Sequence, residues 1–151
     1  MSFEDVRDLY QEAILDRARH PRHMHRMEDF DACAQGDNPM CGDRIELRVK
    51  FAADGRVADA AFEARGCAIS LASADLMADA VRGRDATTLR ALSEAFHVLA
   101  KTGEAPVGHA ALDHLKILAG VAEYPSRVKC ATLPWSALMA ALKQRAEDLH
   151  G

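Results

Sequence analysis

The chain is 151 residues long and 49% hydrophobic, the size and composition of one folded domain, which excludes both a multidomain enzyme and a disordered chain. Nineteen Lys and Arg against 23 Asp and Glu give a net charge of −4, and only 5% of residues are aromatic, so nucleic acid is not an expected partner. No run approaches the roughly 18 apolar residues of a membrane span, and the first five residues are acidic rather than basic, so no membrane association and a cytoplasmic location are expected.

A first helix is predicted over residues 3–19. Ser2 and Asp5 make a capping-box-like start, Val6, Leu9, Tyr10, Ala13 and Ile14 recur on one face, and Pro21 stops it. Residues 20–39 are polar and without period, and read as a surface loop leading to Cys41. Residues 44–51 alternate charged and apolar side chains, the pattern of a strand with one wet and one buried face. Asp54 and Gly55 supply a hairpin turn, and residues 56–64 return with Val57 and Phe62 inward and a bulge near Ala58–Ala61. Residues 68–81, small and apolar nearly all round, form a buried helix that opens after Gly66 and Cys67 and ends at Gly83. Asp85 or Thr87 caps a third helix that carries Leu89, Leu92, Phe96 and Leu99 and ends at Gly103. After a loop at 104–109, a shorter helix over 111–118 places Leu112, Leu115 and Leu118 on one side and stops at Gly120. A last helix starts at Pro134, a good first-turn residue, and runs to Asp148, burying Leu138 and Leu142. Strands followed by helices predict one α+β domain over residues 1–151, a small antiparallel sheet of about three strands with helices packed on one face.

In a reducing compartment the four cysteines are fillers, metal ligands or reactive thiols rather than a disulfide framework. Cys41 sits with Gly42 and Asp43 in the turn entering the first strand, Cys67 at the mouth of the buried helix, and Cys130 shortly before the last helix. Element ends can converge on one rim of a small domain. There they would assemble three thiols and a carboxylate, a set that suits zinc or iron. Spacing leaves this open, because no Cys-x-x-Cys pair is present and a free cysteine is often only a small buried hydrophobe. The helix N-terminus at Cys67 favours a thiolate. On position alone, Asp43 reads as a turn residue accepting a backbone hydrogen bond, and Arg127 as a solvated cation. Cys33 reads as incidental, the alternative being a four-thiolate site that uses it in place of Asp43. His20, His23 and His25 read as a solvated loop with no i,i+4 ligand pair, and Met24 and Met27 as packing.

Four runs carry a resemblance. They are Leu9–Asp16, Gly36–Ile45 with its Cys-Gly-Asp, Gly66–Ser70 with Gly-Cys-Ala-Ile-Ser, and Arg127–Leu133 with Arg-Val-Lys-Cys-Ala-Thr-Leu. Together, over about residues 8 to 142, they resemble the NifU/IscU-like iron-sulfur cluster assembly family. IscU-type scaffolds carry His before their third cysteine and a Leu-Pro-Pro-Val-Lys chaperone motif. This chain has Lys129 and the run Tyr124–Lys129 instead, and its long stretch between Cys67 and Cys130 resembles the SufU insertion. The resemblance implies a SufU/IscU-like fold and a sulfurtransferase-like role, with zinc held by Cys41, Asp43, Cys67 and Cys130. Persulfide sulfur would be delivered to Cys41 by a pyridoxal-phosphate cysteine desulfurase of the SufS type, with other SUF components as further partners. It also implies that a partner histidine takes over a zinc position to release the acceptor thiolate, and that Arg127 steers the anionic persulfide toward Cys41. The alternative is a scaffold on which an iron-sulfur cluster is built between Cys41, Cys67 and Cys130, with Asp43 as a labile ligand. A third reading has zinc only holding an interaction module together.

Overall fold

The computed structural model of the chain describes residues 12–40 and 42–150; the Ser2 start of the first helix, Cys41 and Gly151 lie outside the described residues. In chain order the elements are α1 (Glu12–Arg19), β1 (Ala32–Asn38), β2 (Asp43–Phe51), β3 (Val57–Arg65), α2 (Ala68–Val81), α3 (Ala86–Thr102), a run of 3-10 turns (Ala110–Glu123) and α4 (Pro125–His150). The three strands form one antiparallel sheet in the order β1-β2-β3, with α2 and α4 against the same face, which is the α+β architecture expected.

The alternation in β2 decides which face is buried. Asp43, Ile45, Leu47 and Val49 turn inward and are buried, while Arg44, Glu46, Arg48 and Lys50 turn outward. The expected bulge is real: Lys50 pairs with Asp59 and Phe51 with Val57, leaving Ala58 as the extra residue. At the far end of the core the Phe96 and Trp135 rings stack at 5.0 Å and join α3 to α4. Asp85 caps α3 by accepting from the Thr88 amide at 2.8 Å, and left-handed Gly103 closes it.

Four expectations need correction. The polar stretch at 20–39 is not all loop, since its last seven residues are β1. Its inward residues are Ala32, Ala34, Gly36 and Asn38, small because α4 lies close: a methyl group on Gly36 would stand 3.0 Å from Leu133 Cδ1. The outer face of the sheet is only partly wet. Residues 24–31 cross it, Met24 bridging to Phe62, Arg48 donating to the Met27 carbonyl at 3.0 Å, and Lys50 pairing with Asp29. The segment after Gly108 runs through Gly120 to Glu123 as 3-10 turns, and its buried residues Leu112, Leu115, Leu118 and Val121 recur every third position, the period of that helix. Finally, α4 begins at Pro125 and not Pro134. Pro125 takes the first-turn position, and Pro134 sits buried inside the helix, where it has no amide to donate to the Cys130 carbonyl.

His23 also departs from the solvated reading. It is 7% exposed, while His20 and His25 remain exposed. Its amide and that of Arg22 donate to Asp75 Oδ1 at 2.8 and 2.9 Å, its Nε2 meets Asp79 Oδ1 at 2.6 Å, and Arg82 approaches its Nδ1 at 3.2 Å. A guanidinium can only donate, so Nδ1 accepts and Nε2 carries its proton toward Asp79. Arg17 reaches the same two carboxylates from α1, and this network pins α1 and the following loop to the fully buried Asp75 of α2.

Candidate metal centre

Three elements deliver the site. Asp43 is the first residue of β2 and faces inward with Ile45; Arg44 pairs with Arg65, so the start of β2 lies beside the end of β3, where Gly66 leads into α2. Cys67 is the N-cap of α2, with extended backbone and no side-chain cap, so its sulfur is not engaged with the helix amides. Cys130 comes from the second turn of α4, inside the helix and not before it. Helix α4 packs over β1 and β2 and brings this residue to the same end of the sheet.

The ligand atoms of Asp43, Cys67 and Cys130 all lie within 4.8 Å of one another. Asp43 and Cys130 are buried and Cys67 is half-buried. Asp43 Oδ1 accepts from the Cys67 amide at 3.1 Å, whereas its Oδ2 is buried with no hydrogen-bond partner among the described residues. A carboxylate oxygen withdrawn from water and left unpaired is costly unless a cation meets it. The same crowding shows at Cys130, whose thiol is pushed up, first by burial and then by the neighbouring Asp43 and Cys67. Three potential anions converge there. A borderline-soft divalent ion fits this donor set.

Supporting residues hold the three in place. A methyl group on Gly66 would stand 2.4 Å from Asp43 Oδ1 and 2.6 Å from Ser70 Oγ, so only glycine lets the carboxylate close over the start of α2. Ser70 Oγ donates to the Cys67 carbonyl at 3.0 Å, and Cys130 Sγ lies 3.6 Å from the Ser126 carbonyl. Sequence reasoning missed these; the glycine placed directly before Cys67 was the available signal.

Of the other residues singled out, Cys41 lies outside the described residues. Arg127 is half-buried in the first turn of α4, three residues before Cys130 and so on a neighbouring helical face. Cys33 is not at the cluster. On β1 it pairs with Arg48 of β2, whereas Asn38 of β1 pairs with Asp43, a separation of about 17 Å along the strand. Cys33 turns to the outer face, its sulfur 3.6 Å from Glu46 Oε1, and burial followed by the Glu46 charge pushes its thiol up. Among the described residues no helix is long and apolar enough to cross a membrane.

Comparison with known proteins gives consistent matches. The family model for the NifU-like N terminal domain matches residues 9–131. An iron-sulfur cluster assembly scaffold protein IscU of Streptococcus pyogenes serotype M1 is 38% identical over 99% of this chain and 92% of its own length. The zinc-dependent sulfurtransferase SufU of Bacillus subtilis (strain 168) is 40% identical over 91% of this chain and 92% of its own length. The crystal structure of a nitrogen-fixing NifU-like protein (N-terminal) from Brucella abortus superposes with a TM-score of 0.85 at 29% identity, covering 95% of this chain and 98% of that one. By sequence, by fold and by the cluster of Asp43, Cys67 and Cys130, the chain belongs to the NifU/IscU-like family, as a NifU-like N terminal domain of its SufU branch.

Proposed function

We propose that this protein is a zinc-dependent sulfur acceptor in iron-sulfur cluster assembly, taking persulfide sulfur from a SufS-type, pyridoxal-phosphate cysteine desulfurase onto Cys41. The observation that carries the reading is the buried Asp43 carboxylate, whose Oδ2 has no hydrogen-bond partner among the described residues, with a carboxylate oxygen within 4.8 Å of two cysteine sulfurs. Asp43, Cys67 and Cys130 would hold zinc together with Cys41. Bound zinc keeps its thiolate ligands deprotonated near neutral pH and blunts them as nucleophiles.

The chain's own part is to supply a thiolate and a surface that admits the donor. In the transfer, the Cys41 thiolate attacks the terminal sulfur of the donor persulfide. A new S–S bond forms on Cys41, the donor's S–S bond breaks, and its electron pair leaves with the donor thiolate. Both reactants and both products are anions, so the step gains from nearby positive charge, and Arg127, one turn before Cys130, is the cation assigned to guide the persulfide. Because Asp43 accepts the Cys67 amide, it holds the start of α2 against β2 whatever ion is bound.

The test is metal analysis of the purified protein together with stimulation of the desulfurase. The account expects a colourless protein with about one zinc per chain, stimulation lost in Asp43→Ala, and stimulation kept in Cys33→Ser. A brown protein with iron and inorganic sulfide, and Asp43→Ala still stimulating, would favour the scaffold role that the Streptococcus pyogenes relative's name describes.

A further inference from the structure

The residues of the candidate centre are flanked by cations, although the chain as a whole is acidic. Arg44 follows Asp43, Arg65 stands two positions before Cys67, and Lys129 immediately precedes Cys130. Arg65 and Lys129 are exposed and make no ion pair among the described residues. The Arg44 side chain is 65% exposed and held by Asp37 at 2.8 Å. Arg44 and Arg65 lie directly opposite each other in the β2–β3 ladder, on the outer face, where like charges destabilise a sheet. The nearby carboxylates relieve only one of the two, leaving Arg65 without an ion pair among the described residues. Asp37 is committed to Arg44 and Glu46 to Arg48, and Glu63 makes no ion pair among the described residues.

Beside them, in the turn between β1 and β2, Met40 is 86% exposed. It borders a small cleft lined by Asn38, Met40, Pro125, Ser126 and Lys129. A bare thioether next to an apolar cleft, with charged residues around it, has the make-up of an interface centre and its rim. The cations lie on separate elements, Arg44 and Arg65 on the outer sheet face and Lys129 at the start of α4. They suit a protein surface.

We infer that Met40 and the rim of Arg44, Arg65 and Lys129 form a docking surface for the sulfur donor, and that the matching surface of that donor surrounds its persulfide with carboxylates. The inference rests on the sulfur-acceptor reading above and names how the partner is recognised. Paired charges at the rim would steer association and fix register, while Met40 enters an apolar recess.

The experiment measures, by calorimetry, binding of the zinc-loaded full chain to the same organism's pyridoxal-phosphate cysteine desulfurase at low and high salt. Wild type is compared with R65E/K129E, with M40A and with the control K143E, whose lysine lies about 20 Å further along α4. Zinc content and melting temperature are checked for each. Expected are a Kd that weakens with salt, a loss of about tenfold or more for R65E/K129E with a flatter salt dependence, weaker binding for M40A, and no change for K143E. Wild-type binding by R65E/K129E overturns the inference. So does an unchanged Kd with slower sulfur transfer, which would make the cations guides for the persulfide alone. Self-association of the wild type that these substitutions abolish would also overturn it, by assigning the surface to a second copy of this chain. If wild type neither binds nor stimulates the desulfurase, the sulfur-acceptor reading itself falls, a result distinct from variants that bind like wild type.

Discussion

At Gly66 the chain has no room for a side chain, because Asp43 Oδ1 and Ser70 Oγ occupy the space a methyl group would need. Gly66→Ala must push away from the Cys67 amide the carboxylate that lies within 4.8 Å of the two sulfurs. Zinc affinity should fall about 10–100-fold, the usual cost of disturbing groups that orient a ligand, as read by competition with a chromophoric chelator. An unchanged affinity would mean that Asp43 is not a ligand. Cys33→Ser, by contrast, should leave zinc stoichiometry at its wild-type value, since its sulfur faces the opposite side of the sheet. Asp43 and Cys67 as members of the cluster were legible from the Cys-Gly-Asp and Gly-Cys-Ala-Ile-Ser runs through their family resemblance. What the runs do not carry is the reason for the glycine, which appears only when β2 is laid beside the end of β3. The burial of His23 was illegible for a similar reason: its partners Asp75 and Asp79 lie on α2, far along the chain.

Among elements, α2, α3, β2 and β3 follow the patterns that announce them, because their hydrophobic periods are regular and their caps or turns are explicit. The segment β1 hid because its inward side chains are Ala, Ala, Gly and Asn, a face selected for closeness to α4 rather than for hydrophobicity. The start of α4 hid because two prolines each suit a first turn, and choosing Pro134 placed Cys130 before the helix instead of inside it. For the stretch Ala110–Glu123 the strict spacing of three residues was on view, although read as an α-helix stopped by Gly120. Its anchors are as buried as any core residue, Leu115 being 0% exposed. Leu115→Ala should therefore cost about 2–5 kcal/mol in denaturant unfolding, the range for a buried leucine in a packed core. A cost below about 1 kcal/mol would show that this segment is a loosely held surface strap.

On the scale of the molecule, acid should act on several carboxylates at once. At Asp79, burial works to raise the carboxyl, but hydrogen bonds from Arg17 and His23 and the charge of Arg17 outweigh it and hold it below its ordinary value. The hydrogen bond from Arg48 lowers Glu46, and the Thr88 amide lowers Asp85. A carboxyl whose folded value is depressed contributes stability that is present above its unfolded value and is lost as pH falls through the folded one. The melting temperature should thus drop below about pH 4, and Asp79→Asn should flatten that drop while lowering stability at neutral pH; a pH-independent melting temperature across this window would contradict the ion-pair network. None of this touches the proposed chemistry, which rests on one sulfur atom arriving at one cysteine. Intact and peptide mass spectrometry of the zinc-loaded protein, after brief incubation with the desulfurase and L-cysteine, measures that arrival directly. The account predicts a mass gain of one sulfur atom on the peptide containing Cys41, removed by reductant and absent in Cys41→Ser. An unmodified Cys41 peptide, or the added sulfur on Cys33, would contradict it.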